Sequence, residues 1–257
     1  MFDFASLTLA DIAPFIAIGF AAQLIDGALG MAFGVISQTL LVSIGVPPAS
    51  ASASVHLVEV FTTGASGTSH ILHRNVDWAL FRRLVPFGIL GGVAGAYLLS
   101  NIDASVARPF VMAYLTLIGF FLFYKSIRMR EPRFEDPKTT RPLALVGGFL
   151  DAAGGGGWGP VVTSNLLIQG GDPRKVVGTV NSAEFLLAVS VSVAFLAHLG
   201  WEAFSIATIG LIVGGVVAAP FGAYLAKRVA PRTLLVAVSL VLIATSVYSI
   251  YKAWPIF

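Results

Sequence analysis

A polar, glycine-rich break interrupts apolar sequence at Ile25-Asp26-Gly27-Ala28-Leu29-Gly30-Met31-Ala32-Phe33-Gly34, and returns 125 residues later as Leu150-Asp151-Ala152-Ala153-Gly154-Gly155-Gly156-Gly157-Trp158-Gly159. Each copy puts an aspartate and a pliable backbone where the flanking residues suit hydrocarbon. An ionised carboxylate at the centre of a bilayer costs roughly 2.5 to 3.5 kcal/mol on insertion scales, so it persists where it faces protein, water or a ligand. A chain carrying two such breaks cannot be a simple stack of apolar helices.

Composition places those breaks in a membrane. Hydrophobic residues make up 56% of the chain and charged residues 11%, against about 25% charged in ordinary soluble domains. The 16 basic residues cluster in short loops and form no stripe with interleaved aromatics, so nucleic acid is not an expected partner. The absence of cysteine excludes disulfides and thiolate chemistry. Met1-Phe2-Asp3-Phe4-Ala5-Ser6 lacks the basic start of a cleaved signal peptide.

Apolar stretches fall at Leu9–Ala28, Met31–Val46, Ala49–Leu72, Trp78–Leu99 and Ser105–Ile127, then at Leu143–Ala153, Trp158–Gly170, Val176–Leu199, Ala203–Ala226 and Thr233–Ala253. About 20 helical residues cross a hydrocarbon core of about 30 Å, so the last three stretches of each half are long enough. Leu143–Ala153 would reach only about 16 Å. It and Trp158–Gly170 read as half-helices meeting at the glycine run.

The two halves repeat. At the 125-residue offset Asp26 falls on Asp151, Gly30 on Gly155, Gly34 on Gly159, Pro48 on Pro173 and Glu59 on Glu184; further on, Gly95-Ala96-Tyr97-Leu98 recurs as Gly222-Ala223-Tyr224-Leu225. The expected fold is therefore an all-α polytopic membrane protein of two repeats. Each repeat has three full transmembrane helices plus a pair of short or re-entrant helices broken at a Gly-rich turn. Residues 1–128 form the first repeat, 129–141 a basic linker and 142–257 the second.

Loop charge orients them. Lys125 to Arg141 carries six basic residues and is expected in the cytoplasm. An inverted second repeat leaves fourteen basic residues inside and only Arg108 and Lys252 outside, whereas a parallel repeat gives ten against six. Inverted repeats, with both termini outside, are the expectation. Charge does not separate full crossings from re-entrant hairpins.

Of the 13 acidic residues, Asp26, Glu59, Asp151 and Glu184 are the ones placed within apolar segments or their breaks. The expectation is that they meet near the midplane, where inverted-repeat transporters bind their substrates. Each aspartate also suits a plainer role, capping the half-helix after it, and the two roles are compatible. His56 and Glu59, like Asn181 and Glu184, stand at i and i+3 on one helix face. They suit a proton or cation relay, since burial disfavours the charged forms of acid and imidazole alike; an interhelical hydrogen bond is the structural alternative. One histidine with no cysteine is a poor metal set, so no metal and no other cofactor is expected.

The glycine runs suit an unwound chain whose N–H groups converge on an anion, aided by the half-helix that begins near Trp158. Close helix packing needs the same small residues. Gly30, Gly34, Gln38, Gly154, Gly155, Gly156, Gly157, Trp158 and Asn181 are the candidate substrate-binding residues, and Asp26, His56, Glu59, Asp151 and Glu184 the coupling or gating set. Ser37, Thr39, Thr163, Ser164 and Asn165 are placed to line the same cavity.

These breaks, the Gly45-Val46-Pro47-Pro48 and Gly170-Gly171-Asp172-Pro173 turns, and the following helices with Glu59 and Glu184 carry a resemblance to the TauE/SafE family, also called the toluene sulfonate uptake permeases, over nearly the full length. The resemblance implies a permease for sulfur-containing anions such as sulfite, sulfoacetate or other organosulfonates. That family is usually described by a duplicated unit of about four transmembrane segments, and the charge count disagrees with a parallel version of it. The expected protein is a multi-pass transporter of the cell membrane working by alternating access, with proton coupling as the working hypothesis, membrane lipid and a small anion as partners, and homo-oligomerisation compatible with the sequence. A passive anion channel and an intramembrane enzyme using His56 and Glu59 are the alternatives. The enzyme is disfavoured because no second convergent base or ligand is in view.

Overall fold

The computed structural model describes residues 9–29, 31–128, 136–201, 206–229 and 231–253. All regular structure among them is helical. In chain order the helices are α1 (Leu9–Leu29), α2 (Phe33–Ser43), α3 (Pro48–Leu72), α4 (Trp78–Ser100), α5 (Ala104–Ile127) and α6 (Arg141–Gly154), then a π-helical turn (Trp158–Thr163) running into α7 (Ser164–Ile168), and α8 (Pro173–Leu199), α9 (Ile206–Arg228) and α10 (Pro231–Ala253). Gly30 and linker residues 129–135 lie outside the described residues.

Local sequence sets most boundaries. Asp77 caps α4 by accepting from the N–H groups of Ala79 and Leu80, Asp103 caps α5 through Ser105, and Asp172 caps α8 through Arg174. Pro48 and Pro173 open α3 and α8 at first-turn positions that need no donor. Helix α6 ends where Gly155 turns left-handed at φ 77, a conformation glycine adopts without penalty.

Four helices, α4, α5, α8 and the Arg232–Tyr251 part of α10, are long and apolar enough to cross a membrane. Helix α3 has the length, at 25 residues, but its serines, threonines, His56 and Glu59 make it too polar to count with them. Its polar face is turned into the protein: Ser52, Ser54, His56, Glu59 and Thr63 are all buried. Helix α1 matches the apolar stretch Leu9–Ala28 within a residue and so departs from the pair of short helices expected in each repeat. At 21 residues it is a full-length helix, whereas its counterpart α6 has 14; the extra turns precede the aspartate, which stays near the C-terminal end of both.

Contacts between glycines and backbones fix the helix directions. Helix α3 runs antiparallel to α8: Gly64 lies against Phe185, Gly67 against Ser182, and Asn75 against Arg174 and Gly178. Helices α1 and α9 run the same way, with Phe15 against Gly210, Ile16 against Gly214 and Phe20 against Phe221. Helices α4 and α6 do likewise, with Phe87 at Arg141, Gly91 at Leu145 and Gly95 at Phe149. Helix α5 packs along α10. Its start donates from Arg108 to the Val42 carbonyl at the end of α2, where Ser249 near the end of α10 also meets Ser43, so this pair is antiparallel too.

The breaks therefore make two hairpins that each return to the end they left. Helix α9 starts beside the start of α3, where Thr208 donates to Ser54, and α1 follows α9, so α1 begins at the end of the molecule where α2 finishes. At the opposite end, Gln169 after α7 exchanges two hydrogen bonds with Thr139 before α6. Arg74, Arg82, Arg83, Arg141, Arg174, Lys175 and Arg232 all sit at this second end, while Arg108 and Lys252 sit at the first.

Candidate functional site

Both aspartates hold the turns that follow them. Asp26 Oδ1 accepts from the N–H groups of Ala32 and Phe33 at 2.7 and 3.1 Å, and Asp151 Oδ1 from those of Gly157 and Trp158 at 2.7 and 3.0 Å. The two sets map onto one another at the 125-residue offset. The free N–H groups at each half-helix start are thus met by a carboxylate of the same chain. In the second hairpin, Gly155 and Gly156 also spend their N–H groups on the Asp151 carbonyl. The converging amides expected to bind a substrate anion are occupied by Asp151 itself.

The glycine run has a packing cause at every position. A Cβ would come within 2.2 Å of Tyr114 Cε1 at Gly154, 2.0 Å of Gln38 Cγ at Gly155, 2.5 Å of Val35 N at Gly156 and 2.8 Å of the Tyr114 hydroxyl oxygen at Gly157. Real Cβ atoms do not approach so closely, so a side chain at any of the four would force its neighbours to shift. Of the two readings of the run, anion binding and close helix packing, these contacts speak for packing.

The hairpin tips cross each other. A Cβ on Gly34 would stand 3.3 Å from Gly156 Cα and 3.0 Å from Glu59 Oε1, and one on Gly159 would stand 2.9 Å from Met31 Cα. These tip contacts also exchange at the 125-residue offset. Between the tips lies a cavity of about 20 Å³, room for about one water molecule. Asp26, Glu59, Asp151 and Glu184 all line it, with Met31, Phe33, Gly34, Val35, Thr62, Thr63, Gly156, Gly159 and Pro160. The four acids singled out from the sequence converge, although they come from four different elements.

His56 joins this group through Asp151. Its Nδ1 faces the Ser52 carbonyl at 2.8 Å, and a carbonyl only accepts, so Nδ1 carries a proton. The Ser52 hydroxyl donates to the Ala152 carbonyl at 2.8 Å and ties α3 to the tip of α6. Nε2 lies 3.1 Å from Asp151 Oδ2. With Nδ1 already a donor, this contact needs a second proton, on the imidazole or on the carboxyl. His56 and Asp151 thus share that proton across a buried contact. Glu59 is buried at 4% exposure and points at the cavity with no hydrogen-bond donor to its carboxylate among the described residues. His56, Glu59 and Asp151 offer donor atoms within 4.8 Å of one another. That spacing would suit a cation, and the hydrogen-bonded His56–Asp151 contact is equally met by a proton.

The remaining sequence candidates stand apart from the cavity. Gln38 is fully buried, donates to the Pro48 carbonyl and packs on Gly155. Asn181 donates to the Val177 carbonyl and accepts from Ser66 at 3.5 Å, facing α3 rather than Asp26. Trp158 is wholly buried, donates from Nε1 to the Val180 carbonyl and fills the space over Gly88 and Gly147; it anchors the half-helix. Thr39 bonds back to the Val35 carbonyl. Sequence reading missed Thr62 and Thr63, which stand at i+3 and i+4 from Glu59 and share its face, and Tyr114, whose hydroxyl donates to the Gly156 carbonyl at 3.0 Å. It also counted Lys125 as a loop charge. The lysine instead turns inward and donates to the Ser164 hydroxyl at 2.7 Å.

A family profile described as "Sulfite exporter TauE/SafE" matches residues 15–249. The chain is 43% identical over 245 residues to the "Probable membrane transporter protein YtnM" of Bacillus subtilis (strain 168), covering 92% of this chain and 82% of that protein. No solved structure matches it. Both descriptions are of transport rather than of an enzyme, and with the apolar helices they identify a multi-pass membrane protein. By the length of the profile match and the identity to its relative, this chain is a member of the TauE/SafE family of membrane transporters.

Proposed function

We propose that the protein is a secondary transporter of small sulfur-containing anions, sulfite or organosulfonates, in which the crossed hairpin tips form the moving centre. The observation that carries this reading is the convergence of Asp26, Glu59, Asp151 and Glu184 on one narrow cavity between the tips. Four carboxylates and one imidazole in water-poor surroundings leave an excess of negative charge that calls for protons or a cation. A group of this kind loads and unloads coupling charge; it repels a bare anion. The room for about one water describes a closed centre, so passage requires the tips to part.

The halves are taken as two units, residues 1–128 and 142–257 joined by the linker 129–141, set in opposite senses across the bilayer. Antiparallel packing of the counterpart pairs α3–α8 and α5–α10 supports that arrangement, because a two-fold axis relating antiparallel helices lies across them. The exchange of α1–α9 for α6–α4 contacts supports it as well. Basic residues gathered at one end favour that end as the cytoplasmic one; on this reading both termini are outside and α1–α2 and α6–α7 are re-entrant. Alternating access then amounts to one hairpin tip disengaging while its counterpart stays seated.

The test is uptake of labelled sulfite, sulfoacetate and taurine into proteoliposomes, with and without an imposed pH gradient. Wild-type protein is expected to take up at least one of these faster under the gradient, and Glu59→Gln and Glu184→Gln are expected to lose that acceleration. A flux indifferent to the gradient and unaltered in both variants would replace the coupled transporter with a passive channel.

A further inference from the structure

We propose that Lys125 and Ser164 form an oxyanion seat on the basic side of the carboxylate cavity, a site that rests on the anion-transport reading and locates its substrate. The Lys125 ammonium has three donors. One goes to Ser164 Oγ at 2.7 Å and another faces the thioether of Met31 at 3.7 Å. The Ser164 hydroxyl, having accepted from the lysine, faces the same sulfur at 3.9 Å. Two good donors therefore share one soft, weak acceptor, and no carboxylate among the described residues pairs with the lysine. A cation drawn inward from the membrane boundary calls for a counter-ion. A sulfonate or sulfite group supplies it, with several oxygens able to accept from both donors.

Position argues for transport rather than for a static role. Met31 touches the lysine and the serine and is also a wall of the cavity holding the four acids. An anion on Lys125 thus waits one side chain away from the coupling carboxylates, clear of direct contact with them. Ser164 belongs to the half-helix that continues from the Gly159 tip, so parting of the tips moves the seat as well. Arg108, at the other end of α5, makes a contrast: it donates to the Val42 carbonyl at a helix end, an ordinary partner for a cation. The pair Tyr124-Lys125 recurs as Tyr251-Lys252 at the 127-residue offset that relates Gly95–Leu98 to Gly222–Leu225.

The chain has no cysteine, so Ser164→Cys gives a single thiol at the seat. Full-length protein in phosphatidylcholine vesicles is treated with anionic 2-sulfonatoethyl or cationic 2-aminoethyl methanethiosulfonate, in backgrounds carrying Lys125, Lys125→Arg or Lys125→Gln. The anionic reagent is expected to react faster by on the order of tenfold with Lys125, the preference to persist with Arg and vanish with Gln, and sulfoacetate to slow the reaction. Absence of labelling, or a charge preference indifferent to residue 125, would overturn the seat. Slowing by phosphatidylglycerol in the vesicles but not by sulfoacetate would make it a lipid-phosphate site and overturn it equally. Labelling as expected from a protein that moves none of the three solutes leaves the seat standing and removes the transport reading; uptake of a solute with unchanged KM in Lys125→Gln does the reverse.

Discussion

At the scale of single residues, Asp26 and Asp151 are equivalent in sequence and unequal in task. Both cap a broken helix, and only Asp151 also meets His56, because position 181, which corresponds to 56, holds an asparagine turned toward Ser66 and Val177. Replacing Asp151 with alanine strands two buried N–H groups and the imidazole, a loss on the order of 2 kcal/mol or more. Asp26→Ala strands only its two N–H groups. Thermal unfolding in detergent is expected to show the larger drop for Asp151→Ala, and a mild one for Asp151→Asn, which keeps an oxygen facing Gly157 and Trp158. Equal drops for the two alanine variants would mean that His56 contributes nothing to the fold. Under the proposed coupling, the single imidazole of a duplicated centre would give one tip a proton to exchange that the other lacks.

At the scale of elements, glycine is what lets the hairpins lie so close to their neighbours. Helix α4 meets α6 through Gly88, Gly91 and Gly95 and meets α8 through Gly92, and a Cβ on Gly88 would sit 2.6 Å from the Trp158 ring. Membrane helices associate through such small-residue contacts because lipid offers no hydrophobic drive between them. Gly88→Ala is expected to cost about 1 to 3 kcal/mol by overpacking, and Trp158→Phe in the same chain to restore part of it by removing the benzo ring. Additive losses in the double variant would show that the two do not touch in the membrane. Because Trp158 begins the half-helix behind the cavity, any recovery of stability is expected to come with recovered uptake.

At the scale of the molecule, the relation between the halves is open to a direct check. Ile44 and Gln169 correspond at the 125-residue offset and lie at opposite ends of the bundle. With single cysteines at each, a membrane-impermeant thiol reagent is expected to label position 44 in intact cells and position 169 only after the membrane is opened. Labelling of both from one side would end the inverted arrangement. Helix positions, the duplicated breaks and the four acids set within apolar sequence were legible in the sequence, because hydropathy, glycine and an uncompensated carboxylate are local properties that lipid punishes or permits residue by residue. The first hairpin helix was longer than its repeat suggested, and Lys125, counted as a loop charge, turned out to point inward. By itself the sequence determined that two broken, acid-bearing units must exist and that helices would carry them. Only the tertiary structure decided that the broken turns are filled by their own aspartates, that Trp158 is an anchor, and that the tips cross with all four acids between them, because which donor meets which acceptor depends on helix directions and distances that no single stretch of chain encodes.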